Sequence, residues 1–232
     1  SGVGTLQNAD ELLATSTETV ELKPDFILYL GGHLIGKNIK SLLRQAQDAA
    51  QWLINEGGDV IDTFMHLTTI VETLPNNVLS LMVQMMQQID KKQHEARVNA
   101  YIQRWQKAHN DYRENLKKER LEYTEAFAVQ CFEQQLSHST TPYEVHYANS
   151  MSVRLANKYA QHPVWCNRGV NGIEGSLSTA AGMSLTTTNN VYCIIGDLSF
   201  FYDQNALWNT RLKGNFRIIL LNNGGGKIFQ HV

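Results

Sequence analysis

Apolar residues are distributed along this chain in three patterns, and each predicts a different kind of element. Residues 25–30 (DFILYL) form a short apolar run closed by Gly31 and Gly32. A run of that length before a glycine pair predicts a buried strand and a turn. Over residues 38–46 the spacing becomes helical, with Ile39, Leu42 and Leu43 on one face. Two continuations then fit equally well: the helix extends to Ile54, or residues 51–55 form a second strand before Gly57 and Gly58. Periodicity alone does not separate them. Residues 78–136 contain neither glycine nor proline, and residues 91–122 interleave charges of both signs, as in Lys117, Lys118, Glu119 and Arg120. This predicts solvent-facing helix with mixed ion pairs. Residues 191–195 (VYCII) and 216–221 (FRIILL) are unbroken apolar runs. Neither alternates, so both are expected to be parallel strands covered on both faces. Residues 203–213 are the expected crossover helix between them, with the usual right-handed connection.

These pieces predict an α/β protein with parallel sheets flanked by helices. The polar stretch 137–141 ahead of Pro142 is the expected boundary between a first domain, 1–137, and a second, 138–232. Composition narrows the possibilities further. The 232 residues are 43% hydrophobic, enough for a packed core and too many for a disordered chain. A net charge of −2 gives no long-range attraction to nucleic acid or to an anionic membrane surface. Acids alternate with bases in 91–122, which argues against a nucleic-acid arm and leaves a helical interaction arm as that region's functional alternative. No apolar run approaches the roughly 20 residues of a membrane span. Ser1 to Asp10 show no basic region followed by an apolar stretch, so no signal peptide is expected. The three cysteines, Cys131, Cys166 and Cys193, lack paired spacing. They are expected to be reduced thiols in a cytoplasmic protein, without a disulfide or a zinc site.

The chemistry concentrates at the ends of the last two strands. One is followed by Gly196-Asp197, the other by Asn222-Asn223 and then Gly224, Gly225 and Gly226. Ligands of open parallel sheets sit beyond the carboxyl ends of strands, so Asp197 and Asn223 are expected side by side there. A carboxylate, an amide oxygen and a free backbone carbonyl suit Mg2+, which prefers hard oxygen ligands. Glycines let the backbone approach a bulky anion. Taken singly, each segment is an ordinary turn; their pairing across one strand-helix-strand unit carries the inference.

This arrangement resembles the fingerprint of the thiamine-diphosphate enzymes, Gly-Asp-Gly followed one strand-helix-strand unit later by Asn-Asn. Here it reads Gly196-Asp197-Leu198 and Asn222-Asn223, with leucine where the broad family has glycine. The runs GDLSFFYDQNAL (196–207), NRGVNGIEGSLSTAAG (167–182) and ANSMSVR (148–154) are similar to one branch, the 2-succinyl-5-enolpyruvyl-6-hydroxy-3-cyclohexene-1-carboxylate synthases of menaquinone biosynthesis. The resemblance is clear toward the end of the chain and thin over its first part.

The resemblance implies thiamine diphosphate and Mg2+ as cofactors. Asp197, the Asn223 side chain and the Gly225 carbonyl would be the metal ligands. Gly196 and Leu198 would lie beside the cofactor, and Ile173 would be the apolar wedge that bends it. Ser150, Arg154 and Arg168 match positions that meet substrates, Lys37 in HLIGKNIK matches another, and Ile228 and Phe229 match residues lining the reaction pocket. The implied reaction decarboxylates 2-oxoglutarate and adds the resulting carbanion to isochorismate. Both substrates are multiply negative, which suits arginines that grip carboxylates with paired hydrogen bonds. The family also implies a homodimer or homotetramer. It needs a glutamate from a separate pyrimidine-binding domain, to which nothing here corresponds. The chain is therefore expected to be a fragment, opening within a middle domain, stopping after the metal motif, and inactive by itself. The alternatives are another thiamine-diphosphate decarboxylase or acetolactate-type synthase, and a non-catalytic binding module on the same scaffold.

Overall fold

The computed structural model describes residues 8–15, 19–32, 34–88, 92–169 and 171–226. The chain divides into two compact units, Ser1–Glu119 and Arg120–Val232. Each is built on its own three-stranded parallel sheet flanked by helices, the α/β architecture expected from the apolar runs.

In the first unit, β1 (Phe26–Tyr29), β2 (Ala50–Ile54) and β3 (Thr69–Val71) lie in the order β1-β2-β3. Phe26 pairs with Ala50 and Trp52 with Thr69. The helical stretch α2 (Lys37–Gln45) stops at Ala46, whose N–H bonds the Leu43 carbonyl at 3.2 Å. The ambiguous segment beyond it is strand because β2 is the central one. Hydrogen-bonded neighbours on both sides satisfy its backbone, an arrangement local periodicity cannot reveal. The remaining helices are α1 (Ala9–Thr15), α3 (Pro75–Gln88) and α4 (Lys92–Lys118). Pro75 takes the first helical position of α3, where its missing N–H costs nothing. The helix expected over the charged zone is largely solvent-facing, and it carries an apolar face as well. Tyr101, Trp105, Ala108, Tyr112 and Leu116 form a stripe on α4 that packs against Leu12, Leu13, Leu22 and Leu42. Charges dominate the composition of α4, but its spacing still presents one apolar face.

The second unit contains β4 (Tyr143–Tyr147), β5 (Asn190–Gly196) and β6 (Phe216–Leu221), in the order β4-β5-β6. Its helices are α5 (Glu125–Leu136), α6 (Met151–Tyr159), α7 (Ser176–Thr186) and α8 (Asp197–Asp203). Thr124 caps α5, its hydroxyl accepting the Phe127 N–H at 3.4 Å. This helix belongs to the second unit, with the Phe132 ring edge-on to Tyr192 at 5.3 Å. The central strand β5 is covered on both faces, and Val191, Cys193, Ile194 and Ile195 are fully buried. Its partner β6 departs from that expectation: it is an edge strand among the described residues, with Leu220 42% exposed. An apolar run reports that a strand is buried on average, not on which side its neighbours stand. The crossover also differs. Helix α8 begins directly at Asp197, a short 3₁₀ turn follows over Gln204–Trp208, and the chain then turns through Asn209 to Gly214. The Asp197 carboxylate accepting the Leu198 N–H at 2.7 Å lets the helix start at the strand's end. No helix among the described residues is long and apolar enough to cross a membrane.

Candidate functional site

The parallel register brings the ends of the three strands of the second unit to one edge. Gly196 pairs with Leu221, so Asp197 and Asn223 follow neighbouring strands past the same rung. Beyond β4, the chain passes through Ala148 and Asn149 to Ser150, which stands at φ 74°, ψ −130° before α6 begins. That region is costly for a residue with a Cβ, and such strain persists only where the surroundings hold it. Here the Ala148 N–H bonds the Ile194 carbonyl at 2.9 Å, and the Val153 N–H bonds the Ala148 carbonyl at 3.0 Å.

A cavity of about 360 Å3 opens at this edge. Its walls include Ser150, Ile173, Gly196, Asp197, Leu198 and Asn223. Six of the expected site residues, drawn from four separate segments of the chain, therefore share one hollow. Asp197 is only 8% exposed, and its sole hydrogen-bond partner among the described residues is the Leu198 N–H. Asn223 is half-buried, and its Oδ1 accepts the Gly225 N–H at 3.1 Å. That contact leaves the amide oxygen a second lone pair. Gly224 and Gly225 stand at φ 76° and 116°, where a side chain would be strained. Gly225 lies beside the cavity through Asn223, while Gly226 lines it.

Among the described residues the cavity wall is acidic: Glu125, Glu174 and Asp197 line it without lysine or arginine. Such a wall favours a cation, and an anionic ligand would need a metal between itself and the protein. Two hard oxygen side chains, Asp197 and Asn223, suit Mg2+, which takes its other ligands from water or a bound phosphate group. Among the described residues no three His, Cys, Asp or Glu side chains cluster to hold a metal by themselves.

The other expected residues lie elsewhere. Arg168 adjoins the site: its Nη1 donates to Asn149 Oδ1 at 3.0 Å, while its Nε is buried without a partner among the described residues. Arg154 is exposed, one turn along α6 from Ser150. Lys37 is exposed at the start of α2 in the first unit. Ile228 and Phe229 lie outside the described residues. The first unit has a cavity of its own, about 390 Å3, walled by residues such as Leu22, Arg104, Lys107 and Asp111. It gathers none of the expected site residues.

Several functional contacts were not foreseen from the sequence. Asn149 donates to the carbonyls of Asn167 at 2.5 Å and Gly172 at 2.7 Å. The Ser199 hydroxyl donates to the Ile173 carbonyl and so fixes the backbone that carries that side chain. Asp203 accepts from the Ser178 N–H at 2.7 Å and from its hydroxyl, fastening α8 to α7. No local pattern marks these residues; each acts on a partner distant in sequence.

Two histidines differ sharply in this unit. His146 is buried in the sheet, neither ring nitrogen has a partner among the described residues, and burial pushes its pKa down to about 4. His162 faces the Glu133 carboxylate at 2.9 Å through Nε2 and the Pro163 carbonyl at 2.9 Å through Nδ1. Both are accepting oxygens, so an imidazolium satisfies both contacts. Burial lowers the His162 pKa, and the Glu133 and Pro163 contacts outweigh it, for a net rise. The Tyr147 hydroxyl donates to the other Glu133 oxygen at 2.5 Å. Burial, reinforced by that carboxylate, raises the Tyr147 pKa.

No family model matches the chain. Among curated proteins, it is 36% identical over 231 residues to the 2-succinyl-5-enolpyruvyl-6-hydroxy-3-cyclohexene-1-carboxylate synthase of Bacteroides thetaiotaomicron, covering 97% of this chain and 39% of that protein. It is 38% identical over 231 residues to the protein of the same name from Bacteroides fragilis, with the same shares covered. The like-named protein of Cytophaga hutchinsonii is 36% identical over 240 residues, covering 100% of this chain and 41% of that protein. The chain thus spans about two fifths of the length of these relatives.

Proposed function

We propose that this chain, which belongs to the family of 2-succinyl-5-enolpyruvyl-6-hydroxy-3-cyclohexene-1-carboxylate synthases, supplies the part of such an enzyme that holds the diphosphate and Mg2+ of thiamine diphosphate. The reaction read for the whole enzyme is decarboxylation of 2-oxoglutarate and transfer of the remaining succinyl unit to isochorismate, a step of menaquinone biosynthesis. One observation carries the reading: Asp197 and Asn223, from the ends of adjacent parallel strands, share a cavity with Ser150 and Ile173.

The fit is chemical. The acidic wall suits a divalent cation that takes its remaining ligands from a diphosphate. Asp197 and the Asn223 amide oxygen would hold the metal, with the Gly225 carbonyl as the third protein ligand. When bound, thiamine diphosphate supplies the electron sink for loss of carbon dioxide from a 2-oxo acid. Ile173, its backbone fixed by Ser199, presents an apolar side chain to the cavity beside those ligands. Ser150 lines the cavity with a hydroxyl that caps no helix N–H among the described residues and would meet a substrate oxygen. Arg168, Arg154 and Lys37 are the cations read as substrate-binding, and Ile228 and Phe229 the apolar lining.

The test is calorimetric titration of the full-length protein carrying this sequence with thiamine diphosphate, with and without Mg2+, beside Asp197→Ala. Expected are Mg2+-dependent binding by the wild type and a loss of about a hundredfold or more in the variant, as for removal of a metal ligand. Binding indifferent to Mg2+ and to Asp197 would reduce the two strand ends to ordinary turns and remove the reading.

A further inference from the structure

We propose that Asn149 is the positioning residue of this site: it orients the Arg168 guanidinium without neutralising it, so that the arginine keeps its charge for a substrate carboxylate. The inference deepens the reading above and rests on it. Asn149 directly follows Ala148 at the end of β4, is 4% exposed, and lines the cavity. Its amide orientation follows from its partners. Two carbonyls, of Asn167 and Gly172, need donors and so face Nδ2. The Arg168 guanidinium at 3.0 Å and the Cys166 thiol at 3.6 Å need an acceptor and so face Oδ1. Both amide protons and both acceptor directions are used.

The consequence is mechanical. The segment leaving α6 is stitched to β4 at Trp165, whose N–H and carbonyl bond Val145 and Tyr147 at 2.8 Å each. Farther on, the carbonyls of Asn167 and Gly172 both close on one buried amide. Arg168 directly follows Asn167, and Ile173 directly follows Gly172. Asn149 therefore sets the position of both at once. Removing it would leave two backbone carbonyls and one guanidinium N–H unpaired.

The choice of an amide matters electrostatically. Among the described residues Arg168 has no carboxylate partner, although Glu125, Glu174 and Asp197 line the adjoining cavity. A carboxylate at position 149 would accept from the guanidinium but would cancel its charge, and it would offer no N–H to the Asn167 and Gly172 carbonyls. An asparagine oxygen holds it and leaves the charge whole for a planar anion that can take paired N–H donors. The acidic wall makes that cation valuable: an anionic substrate is otherwise repelled here.

The experiment compares Asn149→Ala, Asn149→Asp, Arg168→Ala and the Asn149→Ala/Arg168→Ala pair in the full-length protein. Three quantities are read: thiamine-diphosphate affinity in Mg2+, the melting temperature, and kcat and KM for 2-oxoglutarate and for isochorismate. Asn149→Ala is expected to raise KM for one of these carboxylates about tenfold, the worth of one charge-assisted hydrogen bond, with cofactor affinity unchanged. The double variant is expected to be no worse than Arg168→Ala, because the two residues act as one unit. Asn149→Asp keeps an acceptor for Arg168 but neutralises the arginine and loses both N–H donors to the Asn167 and Gly172 carbonyls, so it is expected to raise KM as well. Should the alanine variant fail to fold, Asn149→Gln, which keeps an amide but sets it one methylene farther out, carries the test with the same expected rise in KM. Wild-type KM in a folded Asn149→Asp protein, or additive effects in the double variant, would reduce Asn149 to a structural staple and overturn the inference. A wild type that binds no cofactor would remove the functional reading, and this inference with it. A wild type that binds and turns over, with KM unmoved by Asn149→Ala, would remove the inference alone.

Discussion

The two units present the same sheet twice and use it differently. Each has three parallel strands in sequential order. In the first, the strand ends close on themselves: the Tyr29 hydroxyl donates to the Gly32 carbonyl at 2.6 Å, and Asn55 Oδ1 accepts the Gly57 N–H at 3.0 Å. In the second, the corresponding ends surround a cavity with Ser150, Asp197 and Asn223. The buried polar groups differ in the same sense. Gln51 in the first sheet is fully buried with no partner for its side-chain amide among the described residues. Glu133 in the second is 8% exposed, with one carboxylate oxygen bonded to Tyr147 and the other to His162. Topology is shared, and what distinguishes the units is the chemistry of a few residues beyond the strands.

The sharpest way to break the comparison is to remove a satisfied buried group from one unit. Glu133→Ala leaves Tyr147 and His162 without their acceptor and is expected to cost about 3–5 kcal/mol, read as a lowered denaturation midpoint. A cost below about 1 kcal/mol would mean that the network is not structural.

Acidity and alkalinity sharpen it next, because the two histidines of the second unit act in opposite directions. His146 has a native pKa of about 4 against 6.5 unfolded. The unfolded chain therefore binds the proton first, and stability falls by about 3 kcal/mol as pH drops from 6.5 to 4. His162, facing Glu133, Pro163 and the Tyr143 ring, has a native pKa that burial lowers but the Glu133 and Pro163 contacts raise above 6.5. Its contribution is full below the unfolded pKa and is lost as pH rises through the native one. Melting temperature followed against pH should therefore fall on both sides of about 6.5. His162→Gln should flatten the alkaline limb and leave the acidic one; an unchanged alkaline limb would rule out His162 as its source.

Ser150→Gly probes the strained strand end. Glycine tolerates φ 74°, so the variant should gain about 1 kcal/mol in stability while losing turnover with the hydroxyl. A loss of stability would show that the hydroxyl, not the backbone, dominates there. The smallest effect is expected in the first unit. Gln51→Leu removes an unsatisfied buried amide and should be neutral or stabilising by up to about 1 kcal/mol. A clear destabilisation, measured by denaturant titration, would mean that Gln51 is satisfied and that the contrast with Glu133 is false.

Legibility from sequence followed range. The β1 and β5 runs, the onset of α2 and the shared position of Asp197 and Asn223 came from residues that act with near neighbours or from the parallel-sheet rule. The 46–54 segment stayed open, because its strand identity depends on β1 and β3 lying on either side. Strand β4, with alternating residues after Pro142, was unmarked because its partner β5 is far along the chain. The stripe on α4 was hidden by surrounding charge. Asn149 stood within a recognised run yet revealed no role, since its partners lie 18 and 23 residues away.

By itself the sequence determined the class of fold, the resemblance to a thiamine-diphosphate synthase, and the residue types that follow each strand. These depend on local hydrophobic pattern and on side-chain chemistry, which are carried by neighbouring letters. Only the tertiary structure decided that Ser150, Ile173, Asp197 and Asn223 share one cavity, that its wall is acidic, and that Asn149 ties Arg168 to the Asn167 and Gly172 carbonyls. Those are facts of proximity between distant segments, and proximity is created by packing, which no local pattern encodes.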